Sequence, residues 1–250
     1  MGTLANGLKS LFYGNGSNVG GTSHRVPLLD ASGNPVGSNT VANIAKIMVD
    51  SAFTGSVFVA TRESDGYPRF RQPNQAASYA STAVGAAVFE AGRLIIVAKN
   101  QQASTKWASS TVSGGNTAIS GHKEGMLDFS GRSNTSTIIT TLDNDAPAAR
   151  YCHDYHPSNV ADNDGNFGAG RWWLPSAGEL WTMWSHLREI NRVLEAIGGT
   201  ALNEGQWYWS STEISAQCAW CLNFGNGYFG DNYYHDKTNE FSVRPVSAFY

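Results

Sequence analysis

The stretch that most constrains the fold of this chain runs from Leu174 to Gly199. Leu174-Pro175 leads into Ser176, and Glu179 stands three residues further on. That is the spacing of a capping box, in which two side chains close each other's unpaired backbone N–H groups at a helix start. Leu180, Trp184, Leu187, Ile190, Leu194 and Ile197 then recur at helical period, so the sequence predicts one amphipathic helix stopped by Gly198-Gly199. A helix with such a stripe needs an apolar partner. Short strand-like runs at residues 56–60, 83–89 and 93–98 offer one, with Glu90-Ala91-Gly92 as the hairpin loop between the last two. Residues 138–142 and 148–156 read as helical, and Pro147 suits a first helical position. Trp172, Trp173, Trp181 and Trp184 gather aromatic area at the main helix, where core is the simplest use for it. Strand-like sequence returns beyond Gly199. Helices in the middle with antiparallel-looking strands on both sides predict an α+β fold.

Residues 1–50 read differently from residues 51–250. Leu4, Leu8, Leu11 and Phe12 fit a turn or two of amphipathic helix, and Gly14 to Ser23 is rich in Gly, Asn and Ser. Val26-Pro27-Leu28-Leu29-Asp30 is an apolar run, Ala31-Ser32-Gly33-Asn34-Pro35 a turn, and Thr40 a cap for a short helix through Val41, Ile44, Ala45 and Met48. A module of this size has too little interior for its own core. It is expected to pack on other chains or on the body.

Several function classes lose ground on composition. Of 250 residues only 15% are charged, the formal net charge is -3, and no block of Lys or Arg occurs. Phosphate backbones need concentrated basic surface, so nucleic acid is not the expected partner. No run approaches the length of a membrane span, and the start lacks the basic-then-apolar pattern of a secretory signal. Gly2 would suggest myristoylation, but Asn6 stands where that motif wants Ser or Thr. The expectation is a soluble protein made in the cytoplasm.

Motifs that carry chemistry are few. Cys152, Cys218 and Cys221 are too sparse and odd in number for a disulfide framework. Cys218-Ala-Trp-Cys221 is a CxxC, but no second ligand pair accompanies it for zinc and no helix start for redox work. In Cys152-His153-Asp154-Tyr155-His156 a helix would bring at most two ligands to one side. Asp162-Asn163-Asp164-Gly165-Asn166 opens like a calcium loop, yet Phe167 and Trp173 occupy the positions of the obligatory Gly and the bidentate Glu. It reads as an Asx/Gly turn. Gly14-Asn-Gly16 lacks the strand and third glycine of a dinucleotide site, and no other catalytic motif stands out. No catalytic residue, cofactor or metal ligand is expected, and the chain is not expected to be an enzyme.

The C-terminal segment carries the functional signal. Trp207-Tyr208-Trp209-Ser210-Ser211-Thr212-Glu213 opens it and Val243-Arg244-Pro245-Val246-Ser247-Ala248-Phe249 closes it. Between them lies a stretch rich in Tyr, Asn, Asp, Gly and Ser, the side chains of adaptable binding surfaces. Together with Gly170-Arg171-Trp172-Trp173-Leu174-Pro175-Ser176-Ala177-Gly178-Glu179-Leu180 and Ala219-Trp220, these motifs resemble the variable proteins of diversity-generating retroelements. That group has a C-type lectin fold and is related in fold to formylglycine-generating enzymes. The likeness covers roughly residues 53–250, and the leader is similar to the short attachment region of phage tail members.

The resemblance implies a C-type lectin-like domain over residues 51–250, behind a short attachment and oligomerisation module at 1–50. It also implies a variable region at about 207–250. In the family, a reverse transcriptase randomises adenines in a template copy, and Asn codons so treated cannot become Met, Trp, Gln, Lys or Glu. Between Ile214 and Ser242, Trp220 and Lys237 belong to that excluded set at positions the family keeps fixed, whereas Gln217 and Glu240 depart from the pattern. The ligand contacts implied are Ile214, Ser215, Ala216, Gln217, Cys221, Asn223, Asn226, Tyr228, Asp231, Asn232, Tyr233, Tyr234, His235, Asp236, Thr238, Asn239 and Phe241. Tyr228, Phe229, Tyr233, Tyr234 and Phe241 would be rigid anchors, and Asp231, Asn232, His235, Asp236 and Asn239 adaptable partners; Phe224, and Phe229 on a second reading, would instead be core. The implied role is a receptor-binding tip of a phage tail. It would recognise a host-cell surface protein or glycan, form a homotrimer through its leader, join other tail proteins there and reside in the virion. A bacterial surface or secreted lectin-fold adhesin and a formylglycine-generating-type enzyme are the alternatives. The last requires a reactive Cys pair in a groove.

Overall fold

The computed structural model describes residues 57–64, 66–90, 92–230 and 235–248. The expectations for residues 1–50 lie outside them, as do those for Asp231, Asn232, Tyr233 and Tyr234. In chain order the strands and helices are β1 (Val57–Arg62), β2 (Pro68–Arg71), β3 (Ala83–Glu90), β4 (Arg93–Ala98), β5 (Gln102–Lys106), α1 (His122–Met126), α2 (Gly131–Leu142), α3 (Pro147–Asp154), α4 (Ala177–Ser185), α5 (Leu187–Ala196), β6 (Trp207–Glu213), β7 (Ala219–Asn223), β8 (Phe229–Gly230), β9 (Glu240–Val243) and β10 (Val246–Ser247). The fold is α+β, with two five-stranded sheets.

The first sheet has the order β10-β4-β3-β1-β2 and is antiparallel throughout. Both of its faces are covered. Val57 and Val59 point to one side, where Leu180, Met183, Ile190, Val193 and Leu194 of α4 and α5 meet them. Phe58 and Ala60, the alternate residues, meet Tyr155, Val160, Phe167 and Trp172 on the other. The expected hairpin is present, with Glu90 opposite Arg93 and Gly92 at φ +78°. The second sheet has the order β5-β9-β6-β7-β8. Its β6 and β9 run parallel, with Tyr208 level with Ser242, and its other pairs are antiparallel. One face packs Trp209, Ala219, Cys221 and Val243 against Ile138, Ala148, Ala149 and Cys152 of α2 and α3.

The main helix starts as the sequence predicts. The backbone N–H of Ser176 donates to Glu179 Oε2 at 2.7 Å, one half of the capping box. The Ser176 side chain supplies the other half on the Glu179 backbone, and its hydroxyl also donates to the Asp128 carbonyl, 2.7 Å away, tying the helix start to the preceding loop. The expected single helix is two. It breaks at His186, whose φ of -111° ends α4 and starts α5. After the break the stripe resumes with Leu187, Ile190, Val193 and Leu194, all buried. The chain leaves α5 through a Schellman turn, with Gly198 N–H donating to Glu195, Gly199 N–H to Leu194, and Gly198 at φ +71°. Trp172 and Trp173 are core as expected, whereas Trp181 and Trp184 are half-buried at its margin, tilted together at 4.9 Å.

The three motif segments come together in space. Trp173 and Val246 exchange both backbone hydrogen bonds, Ser211 N–H donates to the Pro175 carbonyl, and Ala177 N–H donates to Thr212 Oγ1 at 2.9 Å. Arg244 is fully buried between the sheets, its Nη1 donating to the Ala98 carbonyl at 2.9 Å and its Nη2 to Thr200 at 2.7 Å and Gln101 at 2.8 Å. Burial without a carboxylate among these partners lowers its pKa to about 10.

Candidate ligand surface

β6 and β7 form a hairpin whose interior holds the frame. Tyr208, Trp209, Trp220, Leu222 and Phe224 are all buried. Trp209 Nε1 donates to the Thr105 carbonyl at 3.1 Å and Trp220 Nε1 to the Ile119 carbonyl at 2.7 Å, so each indole is fixed at both ends. Beneath the turn of the hairpin lies an ion pair. Lys237 Nζ donates to Glu213 Oε2 at 2.5 Å with both side chains essentially buried, and also to the Val112 carbonyl at 2.9 Å. The ammonium sits 4.2 Å from the centroid of the Trp107 ring. Burial holds the Lys237 pKa below its ordinary value, an effect that Glu213 partly offsets.

The candidate contact residues distribute over both ends of this hairpin. Ile214, Ser215, Ala216 and Gln217 form the turn after Glu213, and Asp236 lies against them through its bridge to Cys218. Asn223, Asn226 and Tyr228 lie at the opposite end, because Asn223 pairs with Trp207 and Ala219 with Glu213. Six strand steps separate the ends, about 20 Å. The segment from His235 to Phe241 joins them, giving a band rather than a compact patch. Ala216, Gln217, Asn226 and Tyr228 are exposed, and Ile214, Ser215, Asn223, Asp236, Thr238, Asn239 and Phe241 are half-buried.

Three expectations need correction. Cys221 has no exposed surface; it is opposite Trp209 in the ladder and points into the core shared with α2 and α3. His235 is 7% exposed, because its ring lies 4.4 Å from that of Trp207. Phe229 is core, stacked on Trp181 at 5.7 Å, which leaves only the second of its two readings. Phe224 is core as expected. Phe241 does not project freely either, since it lies 4.6 Å from the Trp209 ring and 5.9 Å from that of Trp207. Tyr228, 47% exposed, stands edge-on to Trp207 at 6.0 Å.

Several of the small polar residues hold the backbone. Ser215 Oγ accepts N–H bonds from Gln217 and Cys218, Asn223 Oδ1 from Gly225, Asn226 Oδ1 from Tyr228, and Asp236 Oδ1 from Thr238. These are Asx- and Ser-type turns. Beyond these turn-holding side chains, the exposed contact candidates of the described band are Ala216, Gln217 and Tyr228.

A second element borders the band that sequence reasoning missed. The loop from Trp107 to Gly121 returns to Glu213, whose carboxylate accepts the N–H groups of Gly114 at 2.8 Å and Asn116 at 3.0 Å. Gly114 is required there, because a Cβ would fall 2.6 Å from the Trp107 ring and 2.8 Å from Glu213 Oε1. The signal for this loop was its run of Ser, Thr and Gly, which by itself reads only as a connection.

The metal-like motifs resolve as local structure. Asp164 Oδ1 accepts the N–H groups of Asn166 and Phe167 while Oδ2 meets Arg62 Nε at 2.6 Å, so both oxygens are committed to a turn and an ion pair. Those bonds hold its pKa below the ordinary value against the opposing effect of burial. Cys152 is buried in the core, His153 pairs with Asp154, and His156 Nδ1 lies 3.1 Å from the Val160 carbonyl oxygen. All three cysteines are free and buried.

No family model matches this chain, and no curated protein does. Among solved structures, a fimbrial protein from Bacteroides ovatus is similar at 18% identity and a TM-score of 0.49. The match covers 62% of this chain and 35% of that one, so this chain spans about a third of that protein's length. A likeness at that level fixes neither the finer fold nor the function.

Proposed function

We propose that this chain is a binding protein of the C-type lectin fold whose diversified contact surface lies along the band from Ile214 to Phe241. In this reading it is a receptor-recognition tip of a phage tail, assembled as a homotrimer through residues 1–50. One observation carries it. Within one short segment, fully buried frame residues (Trp209, Trp220, Lys237, Arg244) alternate with residues whose side chains are exposed (Ala216, Gln217, Tyr228). Interior positions resist change and exposed loop positions tolerate it, so a surface can vary on this scaffold without unfolding it. The convergence of the three motif segments on one another gives their spacing a structural reason and further supports the reading. A binding role is preferred to the formylglycine-generating type because Cys221 is sealed in the core and Cys218 is 9% exposed.

The test is adsorption of the full-length, fluorescently labelled protein to a panel of intact bacterial strains. Saturable adsorption to a subset is expected. Gln217→Arg combined with Tyr228→Ser should weaken it by about tenfold or more. The melting temperature should stay within about 2 °C of the parent. Unchanged adsorption by that variant, or adsorption to no strain, would contradict the proposal. Diversification itself is read from the neighbouring DNA: a reverse-transcriptase gene and an adenine-altered near-copy of the 3′ end are expected, and their absence removes that part.

A further inference from the structure

One face of the first sheet is sealed at one end and half-buried at the other. The segment that carries Tyr155, Val160, Phe167 and Trp172 covers it. That segment is pinned at the end away from the β3–β4 hairpin. Asn159 Nδ2 donates to the Ser81 and Ala83 carbonyls, Asp164 pairs with Arg62, Asn166 Nδ2 donates to the Gly66 carbonyl, and the Tyr155 hydroxyl accepts the Asn100 N–H. The residues under the cover are small there, with Gly85 between Ala60 on one side and Ala98 on the other. Toward the hairpin the same face carries Phe58 and then the cross-strand pair Phe89 and Leu94. That pair lies about 13 Å along the strands from Gly85. Phe58 meets Phe89 edge-on at 5.6 Å. Phe89 and Leu94 are half-buried, whereas Ala60, Ala87 and Ala98 have no exposed surface.

The chain enters β1 at this same end, since Val57 is opposite Val88. Shortly upstream, Val41, Ile44, Ala45, Met48 and Ala52 recur at helical period, and Asn43, Lys46 and Asp50 fall on the opposite side. Such a stripe needs an apolar surface, and residues 1–50 are too few to build one of their own. Reach is not limiting. The stretch from Met48 to Val57 spans about 30 Å at full extension, while two strand spacings, about 10 Å, separate β1 from β4. A tether this short sets an effective concentration on the order of 1 mM, which favours the chain's own sheet over a second copy or another protein. The other face of the sheet is already filled by α4 and α5.

We infer that residues 41–52 pack on the first sheet of their own chain, across Phe58, Phe89 and Leu94 at the hairpin end. They complete the apolar layer that Tyr155, Val160, Phe167 and Trp172 begin. Leu4, Leu8, Leu11 and Phe12, further upstream, are then the apolar residues left for contacts with other chains. This packing is independent of what the band on the second sheet binds.

Trypsin reports this packing in the full-length protein, because Lys46 is the one Lys or Arg between Arg25 and Arg62. Proteolysis follows the population of the opened segment, so cleavage after Lys46 should be about tenfold slower, or more, than cleavage after Arg25. Leu94→Glu should raise the Lys46 rate by about tenfold, and Leu127→Glu, at a leucine 65% exposed elsewhere, should leave it unchanged. A Lys46 rate equal to that of Arg25, or one that Leu94→Glu does not move, overturns the inference. A second measurement avoids a charged substitution. Full-length protein carrying Met48→Cys with Leu94→Cys is treated with a short bismaleimide, the three native cysteines being buried. The linked peptide pair should appear in protein of monomer mass on a denaturing gel, about tenfold faster than for Met48→Cys with Leu127→Cys. Equal rates for the two pairs, or no link, would overturn the packing. A dimer-mass product would assign the patch to a second copy and overturn the same-chain occupant.

Discussion

Lys237→Met is expected to be among the most damaging single substitutions in the C-terminal segment, costing about 3–5 kcal/mol of stability. The lysine lies in a polar stretch between half-buried Asp236 and Thr238, yet its ammonium is sealed against Glu213 and the Trp107 ring. Removing it leaves a buried carboxylate with only the Gly114 and Asn116 N–H groups for compensation and leaves the Val112 carbonyl without that donor. Pairing Lys237→Met with Glu213→Gln should recover a large part of the loss, because the amide removes the uncompensated charge and keeps one acceptor for the loop. Thr238→Ala, one residue away and half-buried, removes only a hydroxyl bonded to Asp236 Oδ1 at 2.9 Å and should cost no more than about 1 kcal/mol. Urea unfolding of the parent and these variants gives the comparison. Equal, small effects of Lys237→Met and Thr238→Ala would show that the ion pair is not structural.

The second large effect is a pH dependence centred on Glu179. Burial pushes its carboxyl pKa up to about 7 from an ordinary 4.5, with Asp128 adding to the rise. Hydrogen bonds from Ser176 N–H and Trp173 Nε1 oppose the shift without cancelling it. The folded state therefore binds this proton more tightly than the unfolded chain does. The stabilisation is complete below pH 4.5 and is lost as the pH rises through about 7. The loss approaches about 3 kcal/mol on the alkaline side. Glu179→Gln keeps an acceptor for Ser176 and cannot ionise, so its stability relative to the parent should rise between about pH 5 and pH 8. Taking the difference between the two proteins cancels the histidines. Glu63 and Asp164, whose partners hold their pKa values low, already carry charge in that window. A difference that does not vary with pH would mean that Glu179 is ionised throughout.

How much of this was legible in the sequence depends on the distance over which each feature is written. The capping Glu179, Pro147 at the head of α3, the Gly92 hairpin and the Gly198 stop are local devices, and the structure uses all four. The break at His186 was hidden because the apolar stripe stays nearly in phase across it, so periodicity alone reads one helix. β5 escaped notice because its sequence, Gln-Ala-Ser-Thr-Lys, is that of an exposed edge strand with no apolar alternation. In the candidate surface, aromatic and polar composition singles out a segment but does not give the direction of each side chain. His235 and Cys221 read as contacts and lie inside, while Asn223, Asn226 and Asp236 also read as contacts and are engaged in holding turns. The Glu213 clamp on Gly114 and Asn116 joins residues nearly a hundred positions apart, and nothing local announces it.

The central claim is that the C-terminal segment is a replaceable face on a fixed frame. The most direct measurement is the fraction of protease-resistant, folded clones in two displayed libraries of the full-length protein. One randomises Ala216, Gln217 and Tyr228, and the other randomises Trp220, Phe224, Lys237 and Arg244. The account predicts that most clones of the first library fold with near-parental resistance and that almost none of the second do. Comparable losses in the two libraries would contradict it, because the outward residues would then be part of the frame.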